Sequence, residues 1–213
     1  METLKLSGTN VEECAARAAE ILRAGGVVLY PTDTLYGLGA DALSDEAVAK
    51  IYTIKRREEG KPIHCIVADM AMAEQYAEVT GTARVLAREL MPGALTLILN
   101  KKSGVATGVA QGFQTFGIRI PDNTFCLELV RKFGKPYTTT SANVSGMETC
   151  SIVAGILAQL GDNARHIDLI INAGELPQRE PSTVVNLSGA EPVILREGAI
   201  PSPEVWNVIR SEE

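Results

Sequence analysis

The sequence has few of the side chains that usually hold transition metals. It contains only two histidines, His64 and His166, and none of its four cysteines forms a CxxC pair with another. Because disulfide frameworks and zinc sites depend on suitably spaced cysteines and histidines, this pattern argues against both. We expect reduced thiols and no metal site built by the protein, while Mg²⁺ held by carboxylates or by a bound nucleotide stays open.

Long apolar stretches are also absent. No run approaches the roughly 18 residues of a membrane span. The N-terminal segment METLKLSGTN lacks a basic region followed by an apolar stretch, so no secretory signal is visible. We therefore expect no membrane association and, as the default, a cytoplasmic location. The 213 residues, 46% of them hydrophobic, suffice for one core, and we predict a single domain over residues 1–213.

The charge balance limits the kinds of partner. Lys and Arg together number 20 and Asp and Glu 26, which gives a net charge of −6. An acidic chain is poorly suited to nonspecific nucleic-acid binding over a broad surface, although a local basic cavity is compatible with it. The P-loop motif GxxxxGK[ST] is missing, so any phosphate binding must be of another kind.

Helical and strand patterns alternate along the chain. Ser44, followed by two acidic residues and an apolar stripe, has the position of a helix N-cap,. Short apolar runs at 27–30 and 95–99 are typical of buried strands, and residues 117–120 predict a strand with one Arg between two Ile,. The hydroxyl- and glycine-rich stretch 31–39 predicts a loop. This alternation favours one α/β domain with a mixed sheet.

Polar groups are concentrated in KPYTTTSANVSG, residues 135–146. Thr138 to Ser141 form a row of four hydroxyls at the end of a predicted strand. Each buried hydroxyl left unpaired would cost about 1–3 kcal/mol, so something polar should meet them. One interpretation is a turn whose side chains bond their own backbone. The other is a ligand, and this stretch alone does not decide.

Three further positions each allow two interpretations. The basic residues 55–57 either complement the dipole at a helix end, with Glu58 and Glu59 neutralising them, or bind an anion. Arg119, flanked by two isoleucines, requires a carboxylate from the protein or from a ligand. His64 either faces a site or is an ordinary histidine at a strand edge.

Eight short motifs occur along the chain in a fixed order. They are YPTDTLYGLGADA (30–42), KxR at Lys55 and Arg57, KP (61–62), PGALTLIL (92–99), GIRIP (117–121), TSANVSG (140–146), PSTVV (181–185) and LREGAI (195–200). In this order they resemble the YrdC-type family of threonylcarbamoyl-AMP synthases over nearly the whole chain. The sequence departs from the family at residues 56 and 58–59, where members often carry a small residue and then Arg-Pro.

The resemblance implies a fold and an activity. The fold would be an open, twisted mixed sheet with flanking helices around a concave, positively lined cavity. The activity would join L-threonine, bicarbonate and ATP into threonylcarbamoyl-AMP with release of pyrophosphate, and Mg²⁺ would accompany the nucleotide. The product would be handed to proteins that modify tRNA to threonylcarbamoyladenosine, with weak or indirect RNA binding. The alternative is a noncatalytic YrdC-like protein that binds RNA or a nucleotide.

The resemblance also implies roles for individual residues. Lys55 and Arg57 would be catalytic. The predicted threonine-binding residues are Thr32, Thr34, Lys61, Arg119, Thr139 and Ser182. The predicted ATP-binding residues are Lys55, Arg57, Thr115, Ser141, Asn143, Thr149 and Arg196.

Overall fold

The computed structural model describes residues 1–58 and 60–211, which form ten strands and seven α-helices. The strands are β1 (Glu2–Lys5), β2 (Val28–Pro31), β3 (Tyr36–Gly39), β4 (His64–Ile66), β5 (Leu95–Asn100), β6 (Thr115–Arg119), β7 (Tyr137–Ser141), β8 (Leu169–Asn172), β9 (Thr183–Asn186) and β10 (Val193–Arg196). The helices are α1 (Val11–Arg23), α2 (Asp45–Lys55), α3 (Met70–Tyr76), α4 (Gly81–Leu90), α5 (Thr124–Phe133), α6 (Val153–Leu160) and α7 (Ser202–Arg210).

The strands form one mixed sheet in the order β1-β8-β2-β3-β7-β4-β6-β5-β9-β10. Four neighbouring pairs are parallel, namely β1 with β8, β2 with β8, β4 with β6 and β5 with β9. The other five pairs are antiparallel. The predicted α/β fold with a mixed sheet is therefore confirmed, and β7, which carries the hydroxyl row, lies near the middle of the sheet.

The two faces of the sheet are covered differently. On one face, α1 and α5 pack over side chains that include Tyr30 and Tyr137. The opposite face carries the larger apolar cluster, with contributions from α2, α4 and α6. Because side chains alternate along a strand, Thr139 and Ser141 lie on the same face as Tyr137. They are only partly buried, so the polar end of β7 extends past the apolar cover of α1 and α5.

Side-chain capping marks the starts of α2, α3 and α5. The side chains of Ser44, Asp69 and Asn123 accept hydrogen bonds from the backbone N–H three residues on, at 3.3, 2.7 and 3.0 Å. These bonds satisfy donors that the first helical turn leaves free. At the other end of α2, Arg56 takes a left-handed conformation with φ of 48°, which stops the helix and turns the chain toward Arg57.

The prediction of a loop at 31–39 was wrong in its second half. Residues 36–39 form β3, which pairs antiparallel with β2, with Pro31 opposite Tyr36. The loop is thus only the turn between two strands. A strand of four residues depends on its partner strands more than on its own composition. The hydroxyls and glycines of residues 31–39 are typical of a loop, so the composition did not predict β3.

Local details at the chain's ends also differ from the predictions. Residues 9–12 have the spacing of a capping box, which predicts a helix start, but no side chain caps α1. The residue before α1 is Asn10, and its Oδ1 accepts from the Ser7 N–H at 2.8 Å. The order Ser-Pro-Glu at residues 202–204 predicts that Ser202 caps the last helix. In the structure Ser202 is the first residue of α7, and Pro201 is the cap. His166 ends a short 3₁₀ turn ahead of β8.

The four cysteines are free thiols. In the described part of the chain, no helix has the length and apolar character needed to cross a bilayer.

Candidate functional site

A cavity of about 160 Å³, open to solvent, lies against the polar ends of the central strands. Its walls come from the turn between β2 and β3, the segment after α2, the two residues before β9, and strands β3, β4, β5, β6, β7 and β10. The lining residues are Thr32, Thr34, Leu35, Tyr36, Gly37, Arg57, Pro62, Ile63, His64, Thr96, Arg119, Thr139, Thr140, Ser141, Pro181, Ser182 and Arg196. Side chains far apart in sequence thus share one opening.

Arg119 is held by a carboxylate of the protein. Its Nη2 lies 2.6 Å from Asp33 Oδ1 and donates to Thr34 Oγ1 at 3.1 Å. The side chains of Arg119 and Asp33 are only 6% and 8% exposed. The other carboxylate oxygen of Asp33 accepts from the Asp122 N–H at 3.2 Å. Within the described residues, the buried Arg119 Nε has no hydrogen-bond partner, so the guanidinium keeps one donor for a further acceptor.

Arg196, the last residue of β10, is anchored by Ser182. Its guanidinium donates to the Ser182 carbonyl from Nε at 3.0 Å and from Nη2 at 2.7 Å. Nη2 also reaches Ser182 Oγ at 3.2 Å, and that hydroxyl lies 2.8 Å from Thr96 Oγ1. The pKa of Arg196 is lowered by burial and then by repulsion from Arg119.

Arg57 supplies the third cation. Its Nη2 donates to the Pro62 carbonyl at 3.0 Å, and burial lowers its pKa. Among the described residues that line the cavity, three are arginines and none is an aspartate or glutamate. Three close cations without an equal number of anions favour the binding of a negatively charged ligand.

Lys55 lies behind the cavity wall. It is 1% exposed, and its ammonium donates to the Ser141 carbonyl and to the carbonyl and Oδ1 of Asn143, the last two at 2.9 and 3.0 Å. Three acceptors thus meet the three donors of one ammonium. Burial, followed by repulsion from Arg57, lowers the pKa of Lys55 to about 7. Lys55 therefore ties the end of α2 to the turn that follows β7.

The four hydroxyl residues 138–141 do not all have the same role: some bond the backbone of the protein and some face the cavity. Thr138 is fully buried, accepts from the Ala40 N–H at 2.9 Å and donates to the Leu38 carbonyl at 3.2 Å. Its role is structural. Ser141 Oγ donates to Asn143 Oδ1 at 2.6 Å, yet Ser141 and Thr139 also line the cavity.

The turn between β2 and β3 is built by its own hydroxyls. Thr32 Oγ1 accepts from the backbone N–H of Thr34 at 3.0 Å and of Leu35 at 3.1 Å, and it donates to the Leu35 carbonyl at 2.7 Å. Thr34 Oγ1 lies 3.1 Å from Thr32 Oγ1. Thr32 thus fixes the turn, while Thr34 contacts Arg119.

Five predicted site residues are not among those that line the cavity, namely Lys55, Lys61, Thr115, Asn143 and Thr149. Lys61 is exposed and pairs with Glu58 at 2.9 Å. Thr149 is exposed, and Thr115 begins β6 opposite Asn100. The ligand roles of these residues stay predictions. Glu59, expected beside the basic cluster, lies outside the described residues.

Two residues of the site received no role from the sequence. Asp33 belongs to a quoted motif, but its partner Arg119 is 86 positions away, and no local pattern predicts that pair. Thr96 is a hydroxyl inside an apolar strand, LTLILN, which is the same signal that drew attention to the row on β7.

His64, whose role the sequence left open, faces the cavity. It is the first residue of β4, opposite Thr139 on β7. On the other side stands Gly117, where a Cβ atom would come within 2.5 Å of His64 Cδ2, so the absence of a side chain makes room for the imidazole. Burial, followed by repulsion from Arg196, Arg57 and Arg119, lowers the pKa of His64 to about 4.

Comparison with known proteins places this arrangement in a family. The sequence model of the Sua5/YciO/YrdC domain, described as "Telomere recombination", matches residues 20–198. The chain belongs to the Sua5/YciO/YrdC family. This confirms the resemblance found in the motifs, and the sheet described above is the family's fold.

Relatives of this Sua5/YciO/YrdC chain carry consistent names. A putative threonylcarbamoyl-AMP synthase from Methanocaldococcus jannaschii is 41% identical over 85% of this chain and 84% of the relative. The threonylcarbamoyl-AMP synthase of Pyrococcus abyssi is 35% identical over 93% of this chain, which spans only 58% of that protein.

Solved structures agree with the fold. Sua5 of P. abyssi in complex with L-threonine matches with a TM-score of 0.87 and 32% identity, over 98% of this chain and 60% of that one. YciO of E. coli matches with a TM-score of 0.81 and 29% identity, over 96% of this chain and 97% of that one.

Proposed function

We propose that this chain is a threonylcarbamoyl-AMP synthase, which joins L-threonine, bicarbonate and ATP and releases pyrophosphate. One observation carries the proposal: three arginines and a set of hydroxyls converge on one cavity whose described lining contains no carboxylate. The names of its relatives and the threonine complex of P. abyssi Sua5 support the same reading.

Threonine is assigned to the Arg119 wall. A guanidinium binds a carboxylate through charge-assisted hydrogen bonds, and Arg119 Nε is the buried donor that has no partner in the described residues. The hydroxyls proposed for the rest of the amino acid are those of Thr32, Thr34, Thr139 and Ser182, which line the cavity, with Lys61 as a further proposed contact.

The phosphates are assigned to the other cations. In the proposed reaction a carbamate oxygen attacks the α-phosphorus and pyrophosphate leaves, so the protein has to orient anions in line and needs no covalent nucleophile. Arg57 and Arg196 line the cavity and would offset the charge of the triphosphate,. Lys55, buried behind the wall, is proposed to act with Arg57 by holding the Ser141–Asn143 turn in place. The groups proposed for the rest of the nucleotide are Thr115, Ser141, Asn143 and Thr149.

The cavity offers no protein site for Mg²⁺. This ion prefers carboxylate and phosphate oxygens, and within residues 1–58 and 60–211 no group of three or more His, Cys, Asp or Glu side chains could hold a metal ion. We propose that Mg²⁺ arrives on the triphosphate of ATP.

The cavity volume indicates which parts of the proposed ligands lie inside the cavity and which lie outside it. About 160 Å³ is less than the roughly 300–1,000 Å³ of drug-sized ligand sites. It suits an amino acid beside a small anion, and the nucleoside would extend through the mouth. The product would then leave by the same opening, for transfer to tRNA-modifying proteins in the cytoplasm.

Pyrophosphate release from ATP tests the proposal. We expect release by the purified chain that requires both L-threonine and bicarbonate, and a threonylcarbamoyl adenylate detectable by mass spectrometry. Release that is equal without threonine would contradict the proposed function. Salt-sensitive RNA binding with no threonine-dependent turnover would favour the noncatalytic alternative instead.

A further inference from the structure

His64 has a chemical property that the other groups lining the cavity lack. Among the described lining residues, the titratable side chains are Tyr36, His64 and the three arginines. Arginine stays protonated near neutral pH. The Tyr36 hydroxyl donates to the Gly174 carbonyl at 2.7 Å and accepts from the Ala173 N–H at 3.0 Å, and burial raises its pKa. Among the described residues that line the cavity, only the imidazole of His64 offers a side-chain nitrogen that accepts a proton near neutral pH.

The strands hold this imidazole at a defined place. The backbone pairing of His64 with Thr139 fixes its position in the sheet. Gly117 admits the ring, because a methyl group there would overlap His64 Cδ2 and also approach Ile98 Cδ1 at 3.0 Å. The ring is partly exposed and lies in the same cavity wall as Arg119, so it is close to where a bound amino acid would stand.

The charged groups that act on the pKa of His64 are three arginines, and one of them, Arg119, is paired with the Asp33 carboxylate at 2.6 Å. Arg119 approaches from β6, Arg57 from the segment after α2 and Arg196 from β10, while β7 contributes the hydroxyls of Thr139 and Ser141. Repulsion from three guanidinium groups disfavours an imidazolium. The ring is therefore neutral near pH 7 and keeps a free lone pair.

The proposed reaction requires such an acceptor. An α-amino group has a pKa of about 8 and is mostly protonated at neutral pH. A protonated amine has no lone pair and cannot attack carbon, so threonine must lose one proton before the carbamate forms.

We infer that His64 accepts the proton of the threonine ammonium and so releases the amine for carbamate formation, an inference that rests on the proposed function. The proton passes from the ammonium nitrogen to an imidazole nitrogen, which leaves a neutral amine and an imidazolium. The amine nitrogen then bonds to the carbon of bicarbonate, a C–O bond breaks, and the products are a carbamate and one water. The imidazolium later returns its proton to water.

Anion binding would raise the pKa of His64 and so favour the proton transfer only when the substrates are bound. Bicarbonate and the triphosphate place negative charge among Arg57, Arg119 and Arg196 and offset the repulsion that keeps the imidazole neutral. Proton uptake by His64 then becomes favourable in the loaded site, when the amine and its electrophile are both present.

Two matched variants test the inference by turnover. His64→Gln keeps hydrogen-bonding capacity but cannot take up the proton, and His166→Gln removes the chain's other imidazole. For His64→Gln we expect turnover to fall about 100-fold or more, the usual contribution of a positioned acid or base. Calorimetry should show threonine and ATP dissociation constants within about threefold of the wild type. His166→Gln should match the wild type.

The pH profile adds a readout that a merely structural role would not move. Wild-type turnover should decline as the pH falls through the pKa of His64 in the loaded site, and His64→Gln should lose that limb of the profile. Turnover of His64→Gln within about threefold of the wild type over the whole profile would overturn the inference.

A titration of the wild-type protein keeps the test independent of how the variant folds. The chain has two histidines, so two imidazole Cε1–H signals are expected by NMR, and comparison with either variant assigns them. Adding inorganic pyrophosphate should raise the pKa of His64 by about one unit or more. An unchanged pKa when pyrophosphate is bound would overturn the inference.

The outcomes separate the two proposals. If the wild type releases pyrophosphate with threonine and bicarbonate and His64→Gln does so equally well, the inference falls and the proposed function stands. If the wild type shows no such release, the proposed function falls, and the role of His64 falls with it.

Discussion

Arg119 combines a structural bond with the proposed ligand contact. Its pair with Asp33 is almost wholly buried, at 2.6 Å, and a buried charge that loses its partner is strongly destabilised. Asp33 also fixes the turn after β2, because Arg179 Nη1 donates to its backbone carbonyl at 2.6 Å. A change at Arg119 should therefore alter stability as well as threonine binding.

A double variant separates these two effects. Arg119→Ala should cost about 3–5 kcal/mol of unfolding free energy, because it leaves the Asp33 carboxylate buried and unpaired. Asp33→Asn combined with Arg119→Met removes both charges and should recover most of that loss. Neither protein should bind threonine. Urea unfolding and calorimetry measure the two quantities, and a single variant as stable as the wild type would show that the pair contributes nothing.

His64 should also make the fold sensitive to acid. Its pKa is 6.5 ordinarily and about 4 in the folded chain, so the native state favours the neutral ring. The resulting stability is fully present above pH 6.5 and is lost as the pH falls toward 4. The loss should reach about 3 kcal/mol.

Urea unfolding at several pH values checks this sign and size. Between about pH 7 and pH 4 the wild type should lose roughly 3 kcal/mol more than His64→Gln, which has no imidazole at this position. The His166→Gln variant controls for the loss of a histidine as such. Equal pH dependence in the wild type and His64→Gln would contradict the burial of a neutral imidazole.

At the level of secondary-structure elements, a helix start that is capped by a nearby side chain can be predicted from the local sequence. Ser44, Asp69 and Asn123 each bond a backbone N–H three residues on, so the information lies within four consecutive residues. The strand β3 depends instead on β2 and on β7, which lies about 100 positions away. The short strand β3, whose partners are distant, was therefore missed, while the helix capped by Ser44 was predicted.

The residues of the site also differ in how far the sequence predicted them. Motif resemblance pointed to the residues that line the cavity, such as Arg57, Ser182 and Arg196. It did not show that Asp33 pairs with Arg119 or that Lys55 is enclosed behind the wall, because such contacts follow from the packing of distant strands. The cost of burying polar groups identified the hydroxyl row but could not assign Thr138 to the backbone and Thr139 to the cavity.

Lys55 offers a test at the junction of α2 and β7. Lys55→Met has a side chain of similar length with no donor, so it removes three hydrogen bonds. The Ser141 carbonyl still accepts from the Asn143 N–H and Asn143 Oδ1 from the Ser141 hydroxyl, but the Asn143 carbonyl loses the bond from Lys55. One unsatisfied buried acceptor costs about 1–3 kcal/mol, and we expect a loss of that size in unfolding free energy.

The same substitution on the outer face of the helix is the control. Lys50 is exposed and bonds one carbonyl, that of Gly25, at 2.7 Å, so Lys50→Met should cost about 0.5 kcal/mol or less. Urea unfolding of both variants compares them. Similar losses would mean that the bonds of Lys55 do not hold the turn after β7 in place.

At the scale of the whole molecule, the cavity opposes the overall charge. The chain carries a net charge of −6, yet the described lining of the cavity holds three arginines and no carboxylate. The walls also come from strands spread across most of the sheet. An anion in the cavity should therefore relieve repulsion among the arginines and connect the centre of the sheet to its β9 and β10 edge.

Thermal unfolding with inorganic pyrophosphate tests this coupling. At a concentration 100 times its dissociation constant, a ligand that binds only the folded state adds about 2.7 kcal/mol of stability. For a chain of this size that gain should raise Tm by about 5–10 °C. Sodium chloride at equal ionic strength is the control, since salt alone screens the repulsion of an acidic protein. Arg196→Met should lose most of the pyrophosphate effect, because it removes a cation from the wall next to the β10 edge. An equal rise with chloride, or an undiminished rise in Arg196→Met, would show that the anion acts on the surface and not in the cavity.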